Sequence, residues 1–189
     1  MRLIVAISGA SGTIYAVELL KALKKFGNVE TYLIISEIGE KILKAETGLS
    51  KGDIIPLATR CHNVNDLEAP ITSGSYAIDG MIIVPCSMKT LAGVANGYSG
   101  NLILRAADVT LKERRPLVLV VRETPLNLIH LENMVKAARA GAIILPASPA
   151  FYHKPESVKD LVDYVIKKIL AIFRFKYRPE ISWGGESTG

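Results

Sequence analysis

Short, uninterrupted apolar runs recur along the chain and alternate with segments that have helical periodicity. Runs of this length, rich in Val, Ile and Leu, are typical of strands buried on both faces of a parallel sheet. They occupy residues 2–8, 31–36, 80–87, 115–123 and 142–148. Helices are expected over residues 13–26, 37–48, 88–97, 101–114, 127–141 and 157–173. This alternation predicts an α/β fold over residues 1–189, a single-domain, doubly wound (Rossmann/flavodoxin-like) parallel sheet with helices on both faces.

Composition and charge narrow the classes of partner. Hydrophobic residues make up 49% of the 189 residues, yet no segment reaches the ~18 consecutive apolar residues of a membrane span. We therefore expect no membrane partner, and we interpret the surplus hydrophobicity as subunit interface in a homo-oligomer. The net charge is +5, but no basic tract with interleaved aromatics is present. This pattern argues against nucleic acid and favours phosphorylated small molecules.

The cysteines and the two ends of the chain bear on its compartment. Cys61 and Cys86 are too few for a disulfide framework, and neither has neighbours with metal-ligand spacing. The N-terminal apolar run is short and leads directly into a glycine turn, unlike a signal peptide. We therefore expect a reducing, cytoplasmic location and no metal site. The C-terminal tail, residues 174–189 with the single tryptophan Trp183, is expected to pack on a neighbouring subunit.

Glycine and hydroxyl residues follow the apolar runs at the points where ligands bind in open parallel sheets. The first turn, residues 9–12 (GASG), lets the backbone approach an anion at the start of the next helix, but it is neither a dinucleotide fingerprint nor a Walker loop. The second run ends in Ser36, with no acidic residue to bind a ribose. The turn of residues 87–90 (SMKT) offers hydroxyls, a cation and helix N-terminal amides. Together these turns predict a phosphorylated, ring-bearing ligand, with simple helix capping as the alternative for either turn alone.

A second group of charged residues lies between the third and fourth runs and just beyond them. Arg105 and Lys112 are seven residues apart and so share one helical face. Arg122 and Glu123 end the fourth run, where the strand leaves the sheet. An Arg–Lys pair with a third Arg nearby predicts a clamp for a second anionic group, and a solvated charged face is the alternative.

The last part of the chain supplies further candidates. Tyr152, in a Pro-rich loop, and Lys168, on the last helix, are suited to complete an anion site. The three histidines His62, His130 and His153 are widely spaced, and no G-x-S-x-G motif accompanies them. Hydrolase chemistry therefore has little support.

Longer motifs give the chain a family resemblance. The segments ISGASG (7–12), PCSMKTL (85–91), LKERRPLVLVVRETP (111–125) and PAFYHKP (149–155) resemble the UbiX-like flavin prenyltransferases, and the similarity runs from about residue 3 to 184. The resemblance implies transfer of a dimethylallyl group from dimethylallyl monophosphate to N5 and C6 of reduced FMN. It also implies a metal-independent homododecamer with active sites at subunit junctions. The prenylated FMN would serve a UbiD-type decarboxylase.

The resemblance implies roles for particular positions. Residues lining FMN would be Gly9, Ala10, Ser11, Ser36, Ser87, Met88, Lys89, Thr90 and Arg122. Residues around the prenyl phosphate would be Arg105, Lys112, Glu123, Tyr152 and Lys168, with Tyr76 as the aromatic platform for the prenyl group. The catalytic set would be Ser11, Glu46, Lys112 and Glu123, of which Ser11 and Glu46 would handle the proton near flavin N5.

Two positions depart from the family pattern. Lys168 stands where relatives often carry Arg, so the charge is kept but the bidentate fork is lost. Tyr76 stands where some relatives have Trp, which gives a smaller aromatic platform.

Two other functions stay open from the sequence. An FMN-dependent decarboxylase of the peptidyl-cysteine or phosphopantothenoylcysteine type shares this fold and cofactor. Such relatives carry a catalytic His in roughly the stretch that holds His62, but they have Asn in the turn that here reads SMKT. A non-catalytic FMN-binding oligomer would bind the flavin without turnover, and Arg105, Lys112 and Glu123 would then be dispensable.

Overall fold

The computed structural model describes residues 1–175, which form six strands, seven α-helices and two short 3-10 helices. The strands are β1 Arg2–Ile7, β2 Glu30–Ile35, β3 Arg60–His62, β4 Gly80–Cys86, β5 Leu117–Val121 and β6 Ile143–Pro146. The helices are α1 Thr13–Lys25, α2 Glu37–Thr47, α3 Lys51–Ile54, α4 Met88–Ala95, α5 Leu102–Lys112, α6 Leu128–Arg139 and α7 Val158–Ile172. The 3-10 helices are Ile55–Leu57 and Pro70–Thr72. Over this part of the chain, no helix has both the length and the apolar character needed to cross a bilayer.

All six strands pair in parallel in the order β3-β2-β1-β4-β5-β6. This confirms the predicted doubly wound α/β sheet. Because β1 lies between β2 and β4, the direction of strand order reverses at β1 and β4. A reversal of this kind opens a crevice at the carboxyl ends of the two strands, where such sheets bind ligands.

Successive strand residues alternate between two buried faces. Ile4, Ala6, Met81 and Ile83 belong to a core that also takes apolar residues from α4, α5 and α6. On the other side, α1 packs on β1 and β4 and contacts α2. Apolar side chains buried on both faces explain why the strands appear in the sequence as continuous hydrophobic runs.

Strand β3 is the one strand of the described residues that the apolar pattern did not predict. Its three residues, Arg60, Cys61 and His62, pair only with β2 at the edge of the sheet, and none of them is fully buried. An edge strand needs no apolar run on both faces, so its sequence carries little hydrophobic signal.

The chain divides into two compact units, Met1–Ala147 and Ser148–Gly189. The first unit holds the sheet and helices α1 to α6. The second holds, within its described residues, a Pro-containing loop and α7, which begins with a capping box between Ser157 and Asp160. Trp183 and nearly all of the predicted tail lie outside the described residues, and the single-domain assignment stays a prediction.

Candidate active site

A cleft of about 380 Å³ lies at the carboxyl ends of the neighbouring strands β1, β4 and β5. The turns after these strands and one face of α2 contribute the lining residues, which are Gly9, Ala10, Ser11, Ile42, Ala45, Glu46, Ser87, Arg122 and Glu123. Small-molecule sites commonly have volumes of about 300–1,000 Å³. The fold thus brings seven of the predicted site residues to one crevice at the switch point of the sheet.

The turn after β1 is held by a carboxylate from α2. Gly12 has φ 101° and is the N-cap of α1, so it offers no side chain to the helix terminus. Glu46 takes that role, accepting hydrogen bonds from the Gly12 backbone N–H at 3.0 and 3.1 Å and from the Thr13 N–H at 2.9 Å. The Thr13 hydroxyl donates a further bond at 2.7 Å. The sequence predicted a ligand anion at this helix start, and the structure corrects this because the anion is the chain's own Glu46.

The surroundings of Glu46 determine its charge state. Burial raises the pKa of this carboxyl, but hydrogen bonds from the hydroxyls of Ser11 and Thr13 and from the backbone of Thr13 and Gly12 outweigh burial, and the pKa falls below its ordinary value. Glu46 is therefore an ionised proton acceptor at the wall of the cleft. Sequence reasoning missed Thr13, which is fully buried; a hydroxyl residue in the first turn of α1 was the available signal.

A second hydroxyl network links the turns after β1 and β4. The Ser8 hydroxyl donates to the Pro85 carbonyl at 2.8 Å and accepts from the Ser87 N–H at 2.8 Å. The Ser87 hydroxyl caps α4, accepting from the Thr90 N–H at 3.3 Å and donating to the Thr90 hydroxyl at 3.1 Å. Ser8 is buried and was not predicted as a site residue. It keeps two turns of the cleft at a fixed separation.

The remaining residues of the 87–90 turn and Ser36 differ in exposure. Met88 is buried, whereas Lys89 is exposed beside the cleft-lining Ser87. Ser36 caps α2 by accepting from the Gly39 N–H at 3.0 Å, and its own N–H donates to the Ile7 carbonyl. Ser36 is thus fixed at the carboxyl end of β2, beside the crevice but not among the residues that line it.

Arg122 and Glu123 place charges of both signs at the cleft. The Arg122 Nε donates to the Ser11 carbonyl at 3.3 Å, so the guanidinium lies against the turn after β1. Glu123 is exposed and accepts from the Thr124 N–H at 3.1 Å. A guanidinium beside backbone turns and hydroxyls is suited to a phosphorylated ligand.

Lys112 lies near the amino ends of the strands, at the end of the sheet opposite the cleft. It ends α5, just before β5 begins, whereas Arg122 follows the end of β5. The Lys112 ammonium pairs with Glu113 at 2.6 Å, and both side chains lie against Gly74. Arg105 pairs instead with Asp108 at 3.2 Å. A clamp of Arg105, Lys112 and Arg122 is therefore not formed within one chain, and the role of each residue stays a prediction.

Tyr76 lies near the amino ends of the strands. Its hydroxyl is 2.8 Å from that of Tyr32, the two rings meet edge to face, and the Arg2 guanidinium lies 5.6 Å from the Tyr76 ring centroid. Arg115 donates to the Tyr76 carbonyl at 3.1 Å. Tyr76, the predicted platform for the prenyl group, is thus half-buried and packed within its own chain. It lies at the end of the sheet opposite the cleft.

In the second unit, Tyr152 and Lys168 meet around a residue that was not predicted. The Tyr152 hydroxyl donates to that of Tyr164 at 3.4 Å, and the Lys168 ammonium lies 5.5 Å from the Tyr164 ring centroid. His153 stacks on the same ring at 5.6 Å. The signal for Tyr164 in the sequence was its position four residues before Lys168, one helical turn away.

The fold and the cleft define an α/β protein whose switch-point crevice is suited to a phosphorylated ring ligand. A family model described as Flavoprotein matches residues 1–170. The chain is 50% identical over 185 residues to flavin prenyltransferase LpdB of Lactiplantibacillus plantarum, covering 98% of this chain and 99% of that protein. The chain belongs to the Flavoprotein family and, within it, to the UbiX-like flavin prenyltransferases, which confirms the resemblance found in the sequence.

Solved structures agree with this assignment. AnUbiX in complex with FMN and dimethylallyl pyrophosphate matches with a TM-score of 0.92 and 47% identity, covering 96% of this chain and 98% of that one. A dodecameric FMN-dependent UbiX-like decarboxylase from Escherichia coli O157:H7 matches with a TM-score of 0.95 and 48% identity, covering 98% and 100%. The peptidyl-cysteine decarboxylase EpiD is only 14% identical, with a TM-score of 0.62, so it shares the fold alone.

Proposed function

We propose that the chain is a flavin prenyltransferase, which binds reduced FMN in the cleft and transfers to it a dimethylallyl group from a dimethylallyl phosphate. The observation that carries the proposal is the crevice at β1, β4 and β5 in a chain 50% identical to a flavin prenyltransferase over nearly its full length. The peptidyl-cysteine decarboxylase EpiD, of the rival class, is only 14% identical. Neither alternative function is favoured by a specific contact in the cleft.

The residues present fit FMN. A Cβ on Gly9 would lie 2.8 Å from Ile38 Cγ2, so the turn after β1 leaves no room for a larger side chain. Ala10 and Ile42 give the cleft apolar wall, and Arg122 gives it a cation. A flat apolar ring with a phosphate needs this combination of walls and charge.

The chain's residues then act on two different charges. When bound, reduced FMN would supply N5 and C6 as nucleophiles, and the prenyl phosphate would supply the C5 group and release its phosphate. Lys112, Arg105 and Lys168 stabilise the departing phosphate, because fixed cations are most effective where negative charge develops. Tyr76 stabilises the allylic cation by a cation–π interaction. The proton lost at N5 would pass through the Ser11 hydroxyl to the Glu46 carboxylate. The released phosphate would protonate the alkene of the prenyl group and then take the proton lost at C6.

We infer that these groups come together only in an assembly. Lys112 and Tyr76 lie near the amino ends of the strands, whereas Arg122 lies at the carboxyl ends. Other copies of the chain therefore contribute Lys112 and Tyr76 to each cleft. Four apolar residues on α6 are strongly exposed in the single chain, namely Leu128, Ile129, Leu131 and Val135, at 45–68%. A homododecamer that covers this face would explain both observations.

The finer assignments rest on the family resemblance. We propose the monophosphate as the prenyl donor, a UbiD-type decarboxylase as the recipient of prenylated FMN, and the cytoplasm as the compartment. The last is supported by Cys61 and Cys86, which are both free thiols, with burial raising the pKa of Cys86 to about 12.

The test is anaerobic incubation of the protein with reduced FMN and dimethylallyl monophosphate, followed by mass spectrometry of the flavin. We expect the flavin to gain one C5 unit. Unchanged flavin from protein that binds FMN would support a non-catalytic flavin-binding oligomer instead. Lys112→Ala is expected to abolish the gain and keep oxidised FMN bound, whereas loss of FMN in this variant would place Lys112 in the flavin site.

A further inference from the structure

Tyr164 is the common contact of three side chains in the second unit. Its hydroxyl accepts from Tyr152 at 3.4 Å, its ring stacks on His153 with an angle of 5° between the planes, and the Lys168 ammonium lies 5.5 Å from its centroid. The Tyr152 ring meets it edge to face at 6.1 Å. None of the family roles inferred from the sequence includes Tyr164.

These contacts join helix α7 to the loop that precedes it. Tyr164 and Lys168 are one turn apart on α7, a fifteen-residue helix with a capping box at its start. Tyr152 and His153 belong to the Pro-containing loop before that helix. The aromatic contacts therefore attach the loop to a helix whose backbone is already fixed, and this sets where the Tyr152 hydroxyl lies relative to the Lys168 ammonium.

The contact with Tyr164 restrains the lysine side chain at position 168. A lysine side chain is a flexible stem with a point charge, whereas arginine has a planar fork that is oriented before it binds a phosphate. Lys168 and Tyr152 are exposed, so neither is held in place by burial. An aromatic ring under the ammonium restricts the stem and leaves the charge available to an anion.

We propose that Tyr164 is a positioning residue for the prenyl phosphate, orienting the Tyr152 hydroxyl and the Lys168 ammonium as a preformed pair. The inference rests on the proposed function, since it assigns the pair to the phosphate of the dimethylallyl substrate. The hydrogen bond that Tyr152 donates to Tyr164 accords with the direction of the pKa of Tyr152, which is raised first by that bond and then by burial.

The experiment compares Tyr164→Phe and Tyr164→Leu with the wild-type assembly, measuring kcat and KM for dimethylallyl monophosphate at saturating reduced FMN. Tyr164→Phe keeps the ring and loses the hydroxyl, so we expect KM to rise about two- to fivefold. Tyr164→Leu loses both contacts, and we expect a rise of about tenfold. The affinity for FMN and the melting temperature serve as checks on folding, and Tyr98→Leu, at an exposed tyrosine of the first unit, is the matched control.

A double-mutant cycle separates positioning from general packing. Lys168→Arg supplies its own fork, so in the Tyr164→Leu background it should recover most of the lost KM. Lys168→Met removes the cation, and Tyr164→Leu should then cost only the part that acts through Tyr152. Unchanged KM in both Tyr164 variants, or equal losses with Lys, Arg and Met at position 168, would overturn the proposal. A wild-type protein that forms no prenylated flavin would instead overturn the proposed function, while KM changes in an active enzyme bear on Tyr164 alone.

Discussion

The Thr13 hydroxyl donates a hydrogen bond of 2.7 Å to the Glu46 carboxylate, and this bond joins the first turn of α1 to the last turns of α2. Two backbone N–H groups of the same helix start donate to the same carboxylate. A single acidic side chain therefore caps one helix, fixes the turn after β1 and lines the candidate active site.

Removing the Thr13 hydroxyl should change the acid limb of the pH–rate profile. In Thr13→Val the carboxylate loses one donor, so we expect the pKa of Glu46 to rise toward its ordinary value and the acid limb of kcat to move to higher pH. Thr13→Ser keeps the donor and should retain the wild-type limb. The measurement is kcat for flavin prenylation against pH; identical profiles for the Val and Ser variants would contradict this role.

The stability of the protein should depend on pH through Glu46. The folded-state pKa of Glu46 lies below its ordinary value of 4.5. Its contribution is therefore complete above about pH 4.5 and is lost as pH falls through the lowered folded-state pKa. Glu46→Gln should be less stable than wild type near neutral pH by about 1 kcal/mol, the typical effect of losing an N-cap. Denaturant unfolding at several pH values tests whether the difference narrows in acid.

Loss of Arg122 should weaken flavin binding more than it lowers turnover. Arg122→Met removes the guanidinium at the cleft and its bond to the Ser11 carbonyl, and we expect FMN affinity to fall about tenfold or more. Fluorescence titration of oxidised FMN measures the change without any reaction. Arg139→Met, at the exposed end of α6, is the matched control, and a similar loss in both variants would point to net charge rather than to this contact.

Gly74 offers a way to move Lys112 without mutating it. A Cβ at Gly74 would overlap the Glu113 carboxylate and lie 2.8 Å from Lys112 Nζ. Both are ends of flexible side chains, so Gly74→Ala should leave the melting temperature almost unchanged and raise KM for the prenyl phosphate. Gly52→Ala, whose Cβ would have its nearest neighbour at 3.5 Å, is the control. Wild-type KM in Gly74→Ala would show that the position of Lys112 is not critical.

Sites shared between chains predict complementation. Lys112 and Arg122 lie at opposite ends of β5, so Lys112→Ala and Arg122→Met subunits in one assembly should form some intact sites. At an FMN concentration too low to saturate Arg122→Met, random mixing of equal amounts should restore roughly a quarter of wild-type activity, well above either variant alone. Co-expression with two different affinity tags isolates the mixed assembly. Activity no higher than that of the separate variants would place both residues in a site made by a single chain.

The parallel sheet and the turns at its carboxyl edge were predictable because each carries a local signal. Continuous apolar runs reveal doubly buried strands, and residues 9–12 reveal a tight turn before a helix. Ser8 carries no such signal, and the hydroxyl of Thr13 in the first turn of α1 does not by itself indicate a partner. Their hydroxyls matter only because β4 and α2, distant in sequence, supply Pro85, Ser87 and Glu46 as partners.

The charged residues show a different limit of prediction from the sequence. Spacing placed Arg105 and Lys112 on one helical face, but it could not determine the nearest acidic groups, which are Asp108 and Glu113. Proximity in sequence suggested that Arg122 belonged with them. Strand β5 lies between Lys112 and Arg122, so Arg122 is at the opposite end of the sheet. Such separations follow from the topology of strands rather than from local periodicity.

The carboxylate at the start of α1 has a consequence for nucleotide selectivity. In dinucleotide enzymes with this strand order, the pyrophosphate occupies the first helix N-terminus. Here Glu46 already accepts the donors at that position, and its negative charge would repel a diphosphate bridge. We therefore expect the protein to bind FAD and NAD less tightly than FMN, because a mononucleotide has no diphosphate bridge to place at that position.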